Sequence, residues 1–205
     1  MGIIVPLAII IPISASVARY KILPGELRLL SWYLIFSGVS NLITSILAFN
    51  RVNNMPAMHI YTGIEFVVLA IFYGRILPGG AIRKYQHFII AGFLLFCIIN
   101  AWCGQGMHTY NSYTKSLEAL CLIIFTISYF KRDLDESNGH LQARSAITSI
   151  NAGLLIYFSG SFVLFTLYNI IATHHTLTIT LWMIHATLLL IMYMLFSIAL
   201  WKYKT

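Results

Sequence analysis

Charged residues are scarce in this sequence. Only 9% of its 205 residues are Asp, Glu, Lys or Arg, whereas 59% are hydrophobic and the mean hydropathy is +0.82. A soluble domain carries about 25% charged residues, so this composition excludes an ordinary soluble domain.

Cysteine is scarce as well. Cys97, Cys103 and Cys121 show no metal-type or redox-type spacing, and we assign them no chemistry.

Long apolar runs fill the sequence, each near the roughly 20 residues that cross a bilayer. They predict an all-α membrane protein, a single domain over residues 1–205 with seven transmembrane helices. The first run, MGIIVPLAIIIPISASV, lacks the basic n-region and cleavage site of a secretory signal. We therefore expect a retained span, kinked by Pro6 and Pro12. The predicted spans are residues 2–18, 28–49, 57–77, 86–104, 113–131, 146–171 and 177–201.

Basic residues alternate from one side of the predicted spans to the other. About 11 of the 13 Lys and Arg residues lie after spans one, three, five and seven, whereas Arg51 and Lys115 lie on the opposite side. By the positive-inside rule the amino terminus is outside and the carboxyl terminus is cytoplasmic. The net charge of +7 is thus explained by topology and an anionic inner leaflet. We expect the lipid bilayer as a partner and no nucleic acid.

Internal similarity predicts a repeat. The segments KILPG (residues 21–25) and RILPG (residues 75–79) each follow an odd-numbered span. When the ionisable residues of three odd-numbered spans are aligned, the apolar residues around them match. Three even-numbered spans each carry an asparagine toward the outer end. These patterns predict one leading helix followed by three parallel helical hairpins; chance similarity among apolar residues is the alternative. The aligned positions are Glu65, Glu118 and His185, and the asparagines are Asn41, Asn100 and Asn169.

These polar positions predict a ligand or proton pocket that opens toward the outer side. Ionisable groups at membrane depth face the bundle interior or a wet cavity. Tyr61 lies one turn before Glu65 and is its expected partner, and Lys115 is expected to pair with Glu118. Because no Lys or Arg lies in the middle of a span, we expect Glu65 to have no charged protein partner. The predicted pocket comprises Glu65, Glu118, His185, Asn41, Asn100, Asn169 and Tyr61.

Four interpretations of this pocket remain open. The first is a sensory or ligand-binding membrane module. The second is a membrane enzyme acting on a lipid or apolar substrate, with Glu65, Glu118 and His185 binding a metal or moving protons. The third is a proton-coupled transporter, and the fourth is interhelical hydrogen bonding without further function. The sequence identifies no catalytic residue and no cofactor.

Four segments resemble a family of small uncharacterised integral membrane proteins that is common in Bacteroidetes bacteria. They are LSWYLIFSGVSNL (residues 30–42), HIYTGIEFVVLAIFY (59–73), NSYTKSLEAL (111–120) and WMIHATLLLIMYMLFSIALWKYK (182–204). The resemblance implies a bacterial inner membrane and supplies no activity.

The segment KRDLDESNGHLQAR, residues 131–144, is predicted as the longest cytoplasmic loop. Its mixed charge, with Asn138 and Gly139 as helix breakers, suits either a solvated linker or a docking segment. A sensory module of this size would pass its signal to a separate cytoplasmic or membrane partner.

Overall fold

The computed structural model describes residues 7–135 and 141–203. Within those ranges the chain forms seven α-helices and no strand. Six of the helices are long and apolar enough to cross a membrane, which confirms the predicted multi-pass helical architecture and its seven-helix count. The helices are α1 (Ile10–Arg19), α2 (Gly25–Phe49), α3 (Met55–Ile76), α4 (Ala81–Cys103), α5 (Ser112–Asp135), α6 (Leu141–Ile171) and α7 (His175–Lys202).

The first helix, α1, is short. It has 10 residues, fewer than the roughly 20 that cross a bilayer. A turn at Ile9 separates it from helical residues 7 and 8. Pro12 lies in its first turn. Backbone N–H groups in the first turn have no acceptor within the helix, so the missing N–H of proline costs no helical hydrogen bond. Pro6, at which we also expected a kink, lies outside the described residues.

The connections depart from prediction at two places. Helix α5 continues to Asp135 and α6 begins at Leu141, so much of the loop predicted at residues 131–144 is helical. Lys131, Arg132 and Leu134 are good helix formers, and Asn138 and Gly139 lie outside the described residues. The two ILPG turns also differ, because Gly25 begins α2 whereas Gly79 has a φ of 81° beyond the end of α3.

Six helices pack in a closed ring. In order of contact they are α1, α2, α3, α5, α6 and α7, with α7 returning to α1, while α4 packs outside the ring against α3 and α5. We call the end that holds Arg19, Arg75 and Lys202 the basic end, and the end that holds the connection at residues 104–111 the loop end. The ring places side chains from five long helices around one interior.

Helix α3 supplies much of the interior. It presents one buried stripe, in which Thr62, Glu65, Leu69 and Tyr73 recur at helical spacing. Phe66, beside this stripe, stacks on Phe93 of α4 with ring centroids 3.8 Å apart. Apolar packing thus fixes α3 around its single carboxylate, which sits in the middle of the helix.

Candidate functional site

Glu65 lies inside the helix ring and is almost fully buried, with 3% exposure. Its Oε1 accepts hydrogen bonds from the hydroxyls of Tyr33 on α2 and Tyr61 on α3, each at 2.8 Å. Its Oε2 accepts a hydrogen bond from Lys115 Nζ at 2.7 Å. The Tyr61 hydroxyl also hydrogen-bonds to Ser37 Oγ at 2.8 Å. Three donors from three helices therefore meet at one carboxylate.

Lys115 bridges the two glutamates. Its Nζ donates to Glu118 Oε2 at 2.9 Å as well as to Glu65, and it lies 5.1 Å from the ring centroid of Tyr61, within cation–π range. The hydrogen bond of Tyr61 and the pairing of Lys115 with Glu118 agree with the sequence expectations. The expectation that Glu65 has no charged partner is wrong. Lys115 reaches it because α5 begins deep in the bundle.

The connection at residues 104–111 explains this depth. It folds back over the loop end: the His59 ring Nε2 hydrogen-bonds to the Thr109 carbonyl at 3.1 Å, and Asn111 Nδ2 donates to Thr62 Oγ1 at 2.9 Å. Helix α5 therefore begins at the level of Thr62, one turn before Glu65. The fourth residue of α5, Lys115, is only 5% exposed.

The cluster, which we define as Glu65, Lys115 and Glu118, is not balanced in charge or hydrogen bonding. Two carboxylates face one ammonium, so full ionisation leaves one excess negative charge. Glu118 is completely buried, and its Oε1 has no hydrogen-bond partner among the described residues. Asn111, 1% exposed, likewise has an unpartnered Oδ1. Buried polar atoms are nearly always hydrogen-bonded, so these two oxygens are exceptions within the interior.

His185 lies in the same ring interior but does not join this cluster. Its Nδ1 hydrogen-bonds to Ser161 Oγ on α6 at 2.8 Å. Its ring is surrounded by those of Tyr157, Phe165 and Trp182, with centroids 5.3 to 5.5 Å away. His185 interacts electrostatically with Glu65 and Lys115, yet no hydrogen bond joins it to either glutamate among the described residues. In the same part of the chain, no three His, Cys, Asp or Glu residues are placed to hold a metal ion.

The three asparagines lie apart from the cluster. Asn41 is partly buried and its side chain interacts with Tyr193 of α7. Asn100 is buried at the end of α4, where its Oδ1 accepts a hydrogen bond from the Gln105 backbone N–H at 3.4 Å. Asn169 is exposed at the loop end. The predicted pocket residues thus divide into a buried cluster, a separate histidine and peripheral amides.

A cavity of about 520 Å³ opens at the loop end. It lies at the end that the predicted topology places outside, and its walls do not include the glutamates. Tyr110 lines it and is buried, with 8% exposure; that burial raises the pKa of the Tyr110 phenol, which therefore stays neutral. The lining residues are Met55, Gln105, His108, Thr109, Tyr110, Tyr113, Tyr168 and Asn169.

Two contributions went unforeseen in the sequence, the hydroxyl of Tyr33 and the bond from Lys115 to Glu65. Tyr33 precedes Glu65 by 32 residues, and no local spacing joins them. Charge balance offers a signal for Lys115, because two buried carboxylates require a nearby cation. Lys115 is the basic residue next to one of them in sequence.

Comparisons of the whole chain with protein-family models, curated proteins and solved structures gave no match. The resemblance to the Bacteroidetes family therefore stays a prediction. The function has to be argued from the cluster, the cavity and the connection between them.

Proposed function

We propose that this protein is a sensory or ligand-binding module of a bacterial inner membrane, with its amino terminus outside. The cavity at the loop end receives the ligand, and the cluster of Glu65, Lys115 and Glu118 responds. The distribution of basic residues supports the orientation, because the cytoplasmic side of inner-membrane proteins carries the excess of Lys and Arg. The six spanning helices support the membrane setting.

One observation carries the proposal: a single short segment connects the cavity to the cluster. Thr109 and Tyr110 line the cavity, Asn111 hydrogen-bonds to α3, and Lys115 follows four residues later. A ligand that moves Tyr110 therefore pulls on the first turn of α5. Since the Lys115 ammonium is held at 2.7 and 2.9 Å by two carboxylates, a small displacement changes which carboxylate it neutralises.

The alternative of a metal-dependent enzyme gains no support from the geometry. The ammonium of Lys115 occupies the space between the two glutamates, where it would repel a metal cation. His185 points its Nδ1 at Ser161 instead. A proton-coupled transporter is the second candidate, because an unbalanced buried carboxylate is typical of intramembrane proton relays. Proton flux in proteoliposomes that is unchanged by Glu65→Gln would remove that candidate.

Trp182 provides a reporter for ligand binding. Its ring packs edge-on against Tyr110, with centroids 5.8 Å apart. We expect choline, glutamate, Mg²⁺ or acidification to change the tryptophan fluorescence of purified protein with a saturable dependence. Trp182→Phe should abolish the change, and Trp102→Phe, which alters an exposed ring, should retain it.

A second pair of variants tests the coupling between cavity and cluster. Tyr168→Ala enlarges the cavity and should weaken the apparent affinity of the active probe. Glu65→Gln should leave the protein folded but abolish the probe-dependent shift in melting temperature. A response that survives both variants contradicts the proposal, as does the absence of any saturable response.

A further inference from the structure

The two glutamates of the cluster have very different hydrogen-bond environments. Both oxygens of Glu65 are occupied, by donors from Tyr33, Tyr61 and Lys115. Glu118 receives one donor, Lys115 Nζ, at its Oε2, and its Oε1 receives none. Hydrogen bonds to the ionised form of a carboxyl group favour that form, whereas burial without them favours the protonated form. The structure therefore distinguishes two carboxyl groups that bind the same ammonium.

We propose that Glu118 is the proton-binding residue of this protein, protonated in this structure, while Glu65 is the ionised partner of Lys115. One proton at this position makes the cluster neutral, because one carboxylate then faces one ammonium. It also removes the requirement to bury a charged oxygen that has no donor, which is among the most costly arrangements in a protein interior. Placing the proton on Glu65 instead would leave Glu118 ionised with an unpartnered oxygen.

The surroundings of Glu118 contain no second cation among the described residues that interact with it. Lys115 and Cys121 are on its own helix, and the other titratable groups come from each element packed around it. They are Glu65 on α3, Cys97 on α4, Tyr110 in the connection at residues 104–111, and Tyr157 on α6. Removal of the proton thus adds a negative charge that nothing nearby neutralises, so the folded state should lose stability as the pH rises.

This inference names the proton as a ligand of the cluster. The protonation of Glu118 is argued from the contacts alone. The role of that proton in signalling rests on the proposed function. The carboxyl group is completely buried, so proton exchange requires the bundle to open. In the proposed function a ligand displaces the connection at residues 104–111, and that displacement would give the proton its route.

A matched pair of neutral isosteres tests the assignment, since glutamine mimics a protonated glutamate. Glu118→Gln should melt within a few degrees of the wild type at neutral pH and should lose the alkaline fall in stability. Glu65→Gln should melt at a distinctly lower temperature, because two tyrosines and a lysine lose their charged acceptor. The reverse order, or a Glu118→Gln protein that fails to fold, overturns the inference.

Infrared spectroscopy provides a direct readout without any ligand. The wild type at neutral pH should show the C=O stretch of a buried protonated carboxyl group, and Glu118→Gln should lose it. Glu26→Gln, which alters the glutamate in the first turn of α2, should retain the band. If the band is missing from the wild type, or persists in Glu118→Gln, Glu118 does not hold the proton. The fluorescence response to ligand is unaffected by that outcome, so the two proposals fail separately.

Discussion

Replacing Lys115 by methionine removes the only cation of the cluster and preserves most of the side-chain volume. The variant leaves the buried carboxyl groups of Glu65 and Glu118 facing each other. Removing one partner of a buried ion pair destabilises a protein by about 3–5 kcal/mol. The two lost charge-assisted hydrogen bonds, at about 1.5–3 kcal/mol each, give about 3–6 kcal/mol, which overlaps that range.

This range decides between an ionic cluster and ordinary polar packing. Neutral hydrogen bonds between membrane helices contribute about 0.6 kcal/mol on average. We therefore expect Lys115→Met to reduce the folding equilibrium constant by about two to nearly four powers of ten. Denaturant-induced unfolding in detergent micelles, followed by circular dichroism, measures this change. Lys84→Met, at an exposed position on α4, is the matched control and should leave the unfolding curve unchanged.

A double variant tests the reason for the loss. In the double variant Lys115→Met with Glu65→Gln, the cluster contains no charged group, because Glu118 is protonated in our proposal. This double variant should recover at least half of the stability that Lys115→Met loses. Replacing both members of a buried pair is often nearly neutral, and the cycle isolates their interaction. If Lys115→Met costs less than about 1 kcal/mol, or if the double variant is less stable than the single one, the cluster does not hold the helices together as described.

Two further predictions concern packing and topology. At the α6–α7 contact a Cβ on Gly153 would lie 3.4 Å from Leu195 Cβ and 3.5 Å from Met192 Cα, so Gly153→Leu should lower the melting temperature clearly. Gly92→Leu should not, because nothing lies within 4 Å of its Cβ position. A membrane-impermeant maleimide applied outside spheroplasts should label Cys103, which is exposed at the loop end, and labelling only from the inside would reverse the proposed orientation.

Local patterns in the sequence were sufficient to predict the helices but insufficient for their mutual positions. A run of apolar residues specifies a spanning helix by length and hydropathy, so six predicted spans match α2 to α7 to within a few residues. The short α1 was not predicted. The helical ends of the α5–α6 connection were not predicted either, because a charged segment next to a span is compatible with either loop or helix. Orientation and the hairpin repeat stay predictions.

The site shows the same division between local and long-range information. The contact of Tyr61 with Glu65 follows from i, i+4 spacing on one helix, and so does the i, i+3 contact of Lys115 with Glu118. The contact of Lys115 with Glu65 depends on how deeply α5 starts, which is set by the fold of residues 104–111. No periodicity within a helix encodes that depth. His185 shows the converse, since matching positions in sequence did not bring it into hydrogen-bond contact with the glutamates.

The imbalance within the cluster has a mechanical consequence. With Glu118 protonated, Lys115 has one charged partner, and its bond to Glu65 anchors α5 against α3, while the bond from Tyr33 ties α2 to the same carboxylate. When Glu118 releases its proton, its carboxylate attracts Lys115 and repels the carboxylate of Glu65, so the contact between α5 and α3 is weakened. The connection at residues 104–111, which contributes Thr109 and Tyr110 to the wall of the cavity, is attached to the same first turn of α5, so release of the proton that we propose on Glu118 would loosen that wall. Linkage requires the reverse as well: a ligand that holds the connection in the position seen in this structure must favour the proton on Glu118.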